Sequence, residues 1–402
     1  MPLANDIIGV LRDQRTALVD LVVRLASIES PSQSPDHHMP LVNLLREALD
    51  QAEYRSITVP DRLAGGRHIF AAPRQRSKGR PFQILLGHFD TVWPLGTVDT
   101  MPVRVDEDII YGPGVFDMKA GLAQTVFALR TLRVLGATPS VTPVIFFNAD
   151  EETGSRDSTK YISRLARGAD RAFVMEPALG TTGHIKTERK GVGRYTVHIH
   201  GEAAHAGLEP ERGLSAIVEL SHVIQRLHSL NDVDRGVSVN VGTIDGGSRT
   251  NVVAEYARAD VDVRVPTRED AIHVDAEIRA ITPTAGGITI TVEGRIGRPP
   301  MRKGPRSQLL WESAVREAMK LGITLDEERA GGGSDGNTTS QFTATLDGLG
   351  AVGDGAHARH EFVFVDRLVE RCALLALLIL QPPLQVKTNG QQIRTNIKEA
   401  VQ

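Results

Sequence analysis

The stretch FQILLGHFD, residues 82–90, joins a short apolar run to two ionisable side chains, His88 and Asp90. The apolar run predicts a buried strand, and similar runs at residues 144–147 and 172–175 are again followed by acidic residues. Helical spacing of apolar residues separates the runs, as over residues 118–135. Strands that alternate with helices indicate an α/β fold with a mostly parallel sheet covered by helices.

The pattern changes near residue 190. Apolar side chains at Tyr195, Val197 and Ile199 alternate with polar ones, which is typical of a half-exposed strand. The order strand, helix, strand, strand, helix, strand then predicts an α+β, ferredoxin-like domain. We therefore expect residues 190–300 to be inserted into a discontinuous first domain made of residues 1–189 and 301–402. The polar tail after Pro383 is expected to be poorly ordered.

The composition excludes several classes of protein. Lys and Arg number 46 against 49 Asp and Glu, a net charge of −3 that predicts no nucleic-acid partner. The single cysteine, Cys372, excludes an intrachain disulfide and a thiolate zinc cluster. The longest apolar run, residues 373–380, is far shorter than the roughly 20 residues of a membrane helix. With no signal-peptide pattern in residues 1–20, these features predict a cytoplasmic protein without a membrane partner.

Ionisable residues follow the predicted strands and the glycine-rich loops. In open parallel sheets, functional groups gather beyond the C-terminal ends of the strands. One such carboxylate is usually a solvated surface group, but several acids and two histidines brought together would need a cation. Imidazole and carboxylate ligands without cysteine favour zinc, with cobalt or manganese possible. The candidate ligands and acids are His88, Asp117, Glu151, Glu152, Glu176 and His357.

Five motifs carry a resemblance to a known family. They are HFDTV (88–92), GVFDMKAG (114–121), DEETGS (150–155), MEP (175–177) and GAH (355–357). In order and spacing the chain resembles the M20 metallopeptidases over residues 86–364. The stretch ERAGGGSD, residues 328–335, makes it most similar to the glutamate carboxypeptidase branch.

The resemblance implies a role for each residue of the candidate site. One zinc ion would be held by His88, Asp117 and Glu176, and a second by Asp117, Glu152 and His357, so that Asp117 bridges them. Glu151 would be the general base, and Asp90 would orient His88. An ordinary polar turn is the alternative for His88 and Asp90. The family also has a cis peptide bond after the bridging aspartate.

One of the implied ligands has a rival nearby. His360 lies three residues after His357, and either could follow the glycine-rich loop into the site. Members of the family place the ligand directly after that loop and four or five residues before a glutamate, here Glu361. The resemblance therefore selects His357.

The inserted domain resembles the family's dimerisation and lid domain. His205, in HGEAAHAG (200–207), would stabilise the oxyanion in the partner subunit's active site, although a surface role is the alternative. Asn251 and Arg264 match positions that bind the substrate's terminal carboxylate, and a guanidinium grips a carboxylate bidentately. Pairing of Arg264 with a strand aspartate stays open. Gly333 and Ser334 would form a substrate-contacting turn, and the assembly would be a homodimer.

These observations favour a dinuclear zinc exopeptidase or amidohydrolase. It would cleave the amide bond to a C-terminal amino acid with a free carboxylate, with glutamate favoured, so small peptides or N-acyl amino acids are the expected substrates. An N-acyl or N-carbamoyl amino acid amidohydrolase is the alternative within the same chemistry. A metal-binding protein without catalysis is disfavoured by Glu151. A nucleotide-binding protein is disfavoured because no glycine fingerprint follows the first strand.

Overall fold

A computed structural model describes residues 2–75 and 79–384 of the chain. The tail from residue 385, predicted above to be poorly ordered, lies outside the described residues. The chain divides into two compact units: the first has the residues up to Thr187, Lys303–Glu328 and those from Phe342 on, and the second has Glu188–Arg302 and Arg329–Gln341. Residues 329–341, predicted to belong to the C-terminal part of the first domain, group with the second unit. The insertion of an independent folding domain stays a prediction.

The strands of the described residues are short, and most of those in the first unit are apolar. They are β1 (Tyr54–Pro60), β2 (Arg67–Pro73), β3 (Phe82–His88), β4 (Arg104–Asp106), β5 (Ile109–Tyr111), β6 (Thr142–Asn148), β7 (Arg171–Val174), β8 (Ile185–Arg189), β9 (Gly191–His200), β10 (Ser238–Gly246), β11 (Tyr256–Val265), β12 (Thr289–Arg298), β13 (Glu327–Ala330), β14 (Ala344–Leu346), β15 (Gly353–Asp354) and β16 (Phe362–Phe364).

The helix predicted over residues 118–135 is present as Ala120–Val134. The apolar spacing of residues 7–28 predicts one helix, but the structure has two, because Gln14 leaves helical geometry at φ −94° and ψ 7°. The helices are α1 (Pro2–Asp13), α2 (Arg15–Ser27), α3 (Met39–Gln51), α4 (Thr97–Thr100), α5 (Ala120–Val134), α6 (Thr159–Gly168), α7 (Ala216–His228), α8 (Arg268–Arg279), α9 (Pro305–Lys320), α10 (Asp335–Thr339) and α11 (Val365–Ile379).

A six-stranded sheet in the order β1-β2-β6-β3-β7-β14 organises the first unit. Strands β6, β3, β7 and β14 are parallel, and β2 and β1 are antiparallel additions at one edge. Leu85 and Ile145 face the core that includes α5 and α11, whereas Leu86 and Phe146 face the core that includes α6. Burial on both faces explains the continuous apolar runs in the sequence. The predicted α/β fold is confirmed.

The second unit contains an antiparallel sheet in the order β10-β11-β9-β12. Its elements follow one another as β9, α7, β10, β11, α8 and β12, which is the predicted α+β order. Alternate side chains such as Val197 and Val261 pack with α7 and α8, and the polar side chains between them lie on the other face. Strands β10 and β12 form the two edges of this sheet.

A helix must be long and apolar to cross a membrane. Within the described residues, none of the helices has the length and the apolar character that crossing a membrane requires.

Candidate metal centre

Three parallel strands of the first unit end beside one another. Strand β3 ends at His88, β6 is followed by Asp150-Glu151-Glu152, and β7 is followed closely by Glu176. The register of the β3–β6 and β3–β7 pairs aligns these ends at one edge of the sheet. The polar residues that follow each strand are therefore brought together.

His88, Asp117 and Glu176 form the first group of candidate ligands. Nε2 of His88 lies 3.1 Å from Oδ1 of Asp117 and 3.6 Å from Oε1 of Glu176. Nδ1 of the same ring donates to the main-chain carbonyl of Asp90 at 3.0 Å. That bond leaves Nε2, which faces both carboxylates, as the atom that can bind a metal.

Asp117, Glu152 and His357 form the second group. Nε2 of His357 lies 3.4 Å from Oδ2 of Asp117 and 3.3 Å from Oε1 of Glu152. In each of the two groups the ligand atoms all lie within 4.8 Å of one another. Asp117 thus offers one oxygen to each group, as a bridging ligand does. The peptide bond between Asp117 and Met118 is cis, as the resemblance implies.

The donor set and its spacing fit metal ions. Two ligands that bind a tetrahedral zinc ion at about 2.1 Å lie roughly 3.4 Å apart. The contacts in the two groups, 3.1 to 3.6 Å, agree with this spacing. Oε1 of Glu152 is buried and faces Nε2 of His357 at 3.3 Å, so a cation between these two atoms would bind both of them.

The carboxylates of the two ligand groups raise the pKa values of both histidines. Burial opposes a charge on His88, but hydrogen bonds with Asp117, Asp90 and Glu176 outweigh it and raise its pKa well above the ordinary value. Hydrogen bonds to Asp117 and Glu152 raise the pKa of His357 to about 10. Both shifts favour the protonated rings, and a metal that uses Nε2 must displace the proton there.

Asp90 contacts more than the histidine that it was predicted to orient. Its carboxylate lies 3.4 Å from Nδ1 of His88, farther than its own carbonyl. The main-chain N–H of Glu151 donates to Oδ1 at 3.1 Å, and that of Glu152 donates to Oδ2 at 3.2 Å. Ser32 adds a hydroxyl hydrogen bond of 2.8 Å. Asp90 therefore links the first ligand, His88, to the backbone of the predicted base and of the next ligand.

Glu361 is a residue of the site whose contacts the sequence analysis missed. Its buried carboxylate accepts the main-chain N–H groups of Gly114, Phe116 and Asp117 at 2.8, 2.9 and 3.0 Å. The indole N–H of Trp93 donates a fourth hydrogen bond of 2.9 Å. This carboxylate ties the turn that carries Asp117 to the segment that follows His357. The sequence offered one sign of this role, since an acidic residue stands directly before the apolar strand β16.

The loop before Glu361 brings His357, rather than His360, into the site. Gly355 has φ +83°, and a Cβ there would lie 2.8 Å from Cα of Glu361. His357 itself has φ 62°, a left-handed conformation that is uncommon for residues other than glycine. His360 is exposed and lies outside both ligand groups, which were sought among the described residues.

A cavity adjoins the first ligand group. It has a volume of about 420 Å³ and is lined by Asp117, Glu176, Leu179 and Ala356, among other residues of the first unit. Its size suits a small acyl or amino acid group.

The other predicted site residues belong to the second unit. Nδ1 of His205 accepts the main-chain N–H groups of Gly207 and Leu208 at 3.1 and 3.2 Å. In the neutral ring the proton is therefore on Nε2, which can donate. His205 is exposed, and the main-chain carbonyl of Asn251 accepts the N–H of the neighbouring Ala206 at 3.0 Å. His205 and Asn251 therefore lie on adjacent segments.

Arg264 forms the strand pair that was the alternative to substrate binding. Its Nε and Nη2 donate to the two carboxylate oxygens of Asp262 at 2.7 and 3.0 Å. This pair occupies one edge of the guanidinium, whose Nη1 and Nη2 protons form a second edge. Both side chains are partly exposed on the polar face of the sheet.

Gly333 and Ser334 precede helix α10 in the same unit. Ser334 is buried, and its hydroxyl accepts the N–H of Gly336 at 2.9 Å as the N-cap of the helix. Its main-chain N–H donates to Oδ1 of Asn337 at 2.8 Å. A Cβ at Gly333 would lie 2.8 Å from the Val192 side chain. These contacts give both residues a structural role, and their contact with substrate stays a prediction.

The model of peptidase family M20/M25/M40 matches residues 84–381. That match spans both ligand groups and most of the chain. The chain belongs to this family. The M20 assignment agrees with the resemblance of the motifs and with the fold of the first unit.

The proteins to which this M20 peptidase is similar are named for different enzymatic activities. It is 28% identical to carboxypeptidase G2 of Pseudomonas sp. (strain RS-16), over 92% of its own length and 90% of that protein. It is 26% identical to succinyl-diaminopimelate desuccinylase of Stenotrophomonas maltophilia (strain R551-3), over 88% and 96% of the two chains. Its fold is similar to that of aminopeptidase PepT from Bacillus cereus ATCC 10987, with a TM-score of 0.76, 23% identity, and coverage of 91% and 98%.

Proposed function

We propose that this M20 peptidase is a dinuclear zinc hydrolase that cleaves the amide bond to a C-terminal amino acid with a free carboxylate, glutamate first. The observation that carries the proposal is the pair of ligand groups that share Asp117, with Glu151 directly before the ligand Glu152. The 28% identity to carboxypeptidase G2 supports the carboxypeptidase reading. Cobalt or manganese can replace zinc in such a donor set.

The metal ions and Glu151 divide the chemistry between them. When bound, two ions polarise the scissile carbonyl and lower the pKa of the attacking water. Glu151 accepts the proton of that water and passes it to the leaving amine. Hydrogen bonds from the Glu151 and Glu152 backbone to Asp90 hold the base and the ligand in a fixed relation to each other. The order of the two glutamates thus separates proton transfer from metal binding.

His205 is proposed to stabilise the oxyanion across the subunits of a homodimer. Its Nδ1 is occupied by two main-chain N–H groups, so Nε2 carries the proton that a developing negative oxygen requires. The exposure of the ring in a single chain agrees with a role that a partner subunit completes.

Arg264 and Asn251 are proposed to bind the α-carboxylate of the substrate. Asp262 holds one edge of the guanidinium and leaves the other edge for a second carboxylate. A substrate carboxylate on that edge would make a bidentate, charge-assisted contact. Gly333 and Ser334 would complete this end of the substrate site.

A second candidate function is hydrolysis of N-acyl or N-carbamoyl amino acids. It is favoured by the 26% identity to a desuccinylase over 96% of that enzyme. The catalytic groups would be the same, and only the acyl group and the amino acid would differ.

The test is a hydrolysis panel with zinc-loaded protein. It contains N-acyl glutamates, acyl-peptides that end in other amino acids, N-succinyl and N-carbamoyl amino acids, and the amidated form of each. We expect the highest kcat/KM for substrates with a C-terminal glutamate and little turnover of the amides. A preference for succinyl or carbamoyl substrates would support the second candidate. No hydrolysis of any compound would reject both.

A further inference from the structure

A third group of buried side chains has the composition of a metal site. Ligand atoms of Asp61, His68 and Asp157 lie within 4.8 Å of one another, outside the two groups that share Asp117. All three side chains are buried. The group is part of the first unit and takes no part in the chemistry described above.

The hydrogen bonds of His68 exclude a metal at this place. Its Nδ1 accepts the main-chain N–H of Ala149 at 3.1 Å, and its Nε2 faces Oδ2 of Asp157 at 3.4 Å. Because Nδ1 uses its lone pair as an acceptor, the neutral ring carries its proton on Nε2. No lone pair is left for a metal. The aspartates also have donors, since Lys160 binds Asp157 at 2.6 Å and two main-chain N–H groups bind Asp61.

The two partners of His68 are the two ends of one segment. Ala149 directly follows β6, and Asp157 lies two residues before α6. The imidazole packs near the rings of Phe146 and Tyr161, with centroids 5.8 and 6.0 Å away. A single buried ring thus closes the segment 149–158 at both ends.

Two other carboxylates hold the same segment. Asp150 accepts the N–H groups of Asp157 and Ser158 at 2.8 and 3.1 Å, which closes the segment from within. Asp90 accepts the N–H groups of Glu151 and Glu152 at its centre. The predicted base and one metal ligand are therefore carried by a backbone that is fixed at its middle and at both ends.

We propose that His68 is a positioning residue for Glu151 and Glu152 and that the group around it binds no metal. The inference rests on the proposed function for its kinetic part. By joining Ala149 to Asp157, the ring sets where the segment leaves the sheet and where it enters α6. Loss of the ring lets Glu151 move relative to the substrate, and a misplacement of about 1 Å can lower a rate by about 10²-fold.

His68→Leu removes both hydrogen bonds at similar volume. We expect kcat to fall by about 30- to 100-fold with KM changed less than about threefold, because substrate contacts stay in place. The ion bound through Glu152 should be held about 10- to 100-fold more weakly, and the ion bound through His88 and Glu176 should keep its affinity. Zinc titration measures this without turnover.

Two further variants separate positioning from stability. Asp157→Asn retains an oxygen that accepts from His68 Nε2, so it should recover most of the kcat that Asp157→Leu loses. Arg171→Met is the matched control, because Arg171 is buried, donates to Gln83 and to the carbonyls of Gln381 and Pro382, and lies at the start of β7. It should lower the unfolding temperature but keep kcat.

Several results would overturn the proposal. Wild-type kcat and both wild-type zinc affinities in folded His68→Leu would make the ring merely structural. A third zinc ion in the wild type that disappears in His68→Leu would make His68 a ligand. If His68→Leu does not fold, His68→Phe carries the same test, since its ring can keep the packing near Phe146 and Tyr161 but has no nitrogen for either hydrogen bond. If the wild type hydrolyses nothing, the proposed function fails, and the zinc affinities of the variants still decide the role of His68.

Discussion

At the scale of single residues, Asp117 is the side chain on which both ligand groups depend. Its two oxygens face different imidazoles, those of His88 and His357. Asp117→Ala should therefore reduce zinc binding from about two ions per chain towards none, whereas His88→Ala should lose mainly one. Elemental analysis after dialysis measures the content, with Asp106→Ala, an exposed acid, as the control. Retention of both ions in folded Asp117→Ala would disprove the bridge.

A substitution of Glu151 is expected to change catalysis without changing metal binding. Glu151→Gln preserves shape but cannot accept the proton of the attacking water, so kcat should fall by about 10²- to 10⁴-fold. The zinc content should not change, because Glu152 and not Glu151 belongs to the ligand group. Glu312→Gln, on the exposed face of α9, serves as the control. A kcat within a few-fold of wild type would remove Glu151 from the role of base.

Arg264 is predicted to recognise the substrate's α-carboxylate. Arg264→Ala should lower kcat/KM by an amount equivalent to about 2–5 kcal/mol. Arg264→Lys should also lower kcat/KM, because an ammonium group lacks the planar, two-pronged geometry of the guanidinium. Amidation of the substrate's α-carboxylate should lower kcat/KM of the wild type by about the same factor. When Arg264→Ala is assayed on the amidated substrate, the two losses of transition-state free energy should be less than additive. Arg258→Ala is the control, since Arg258 makes the same pair with Asp260 on the same strand. Independent effects of mutation and amidation would show that Arg264 does not touch the carboxylate.

At the scale of secondary-structure elements, Glu361 connects the start of β16 to the turn Val115–Lys119. Four N–H donors surround its buried carboxylate. Glu361→Gln would turn an NH₂ group towards these donors and leave at least one unpaired, at about 1–3 kcal/mol of unfolding free energy. We expect a lower unfolding temperature and weaker binding of both ions, since Asp117 moves. Unchanged zinc affinity would limit Glu361 to a role in stability.

Elements that are buried on both faces were the easiest to predict. Strands β3, β6 and β7 are apolar runs, so their places and the acids that follow them could be read directly. The hydrogen bond between Asp90 and Glu151 could not be predicted, because it joins a side-chain carboxylate to a main-chain N–H of another loop, 61 residues away in the sequence. The role of His68 could not be predicted either, because it depends on which main-chain N–H donates to its ring. The motif resemblance supplied the ligands that spacing alone left ambiguous, such as His357.

At the scale of the whole molecule, the second unit is predicted to form the dimer interface. Among the described strands, β10 is at one edge of its sheet, and Ile244 on it is 63% exposed. A sheet edge offers main-chain groups that can pair with another chain. Ile217 and Val218 on α7 are exposed as well. Light scattering should give twice the chain mass of 43.6 kDa. Ile244→Asp should shift the protein towards monomer and lower activity, because His205 would lose its partner.

A matched substitution checks the choice of the β10 edge. Ile272 on α8 is equally exposed, so Ile272→Asp should leave the dimer intact if β10 is the interface. A wild-type chain that is monomeric and fully active would contradict both the interface and the action of His205 across subunits.

The interrupted first unit has a consequence for synthesis on the ribosome. When residue 187 has been made, His88, Asp117, Glu152 and Glu176 already exist, but His357 and helix α11 do not. Helix α11 packs against α1 and α5, so the core of the first unit stays incomplete until residue 379 has emerged. All residues of the second unit have been made by residue 341, before His357 and α11 exist. During translation the second ligand group is therefore completed by His357 only after every residue of the second unit has been made.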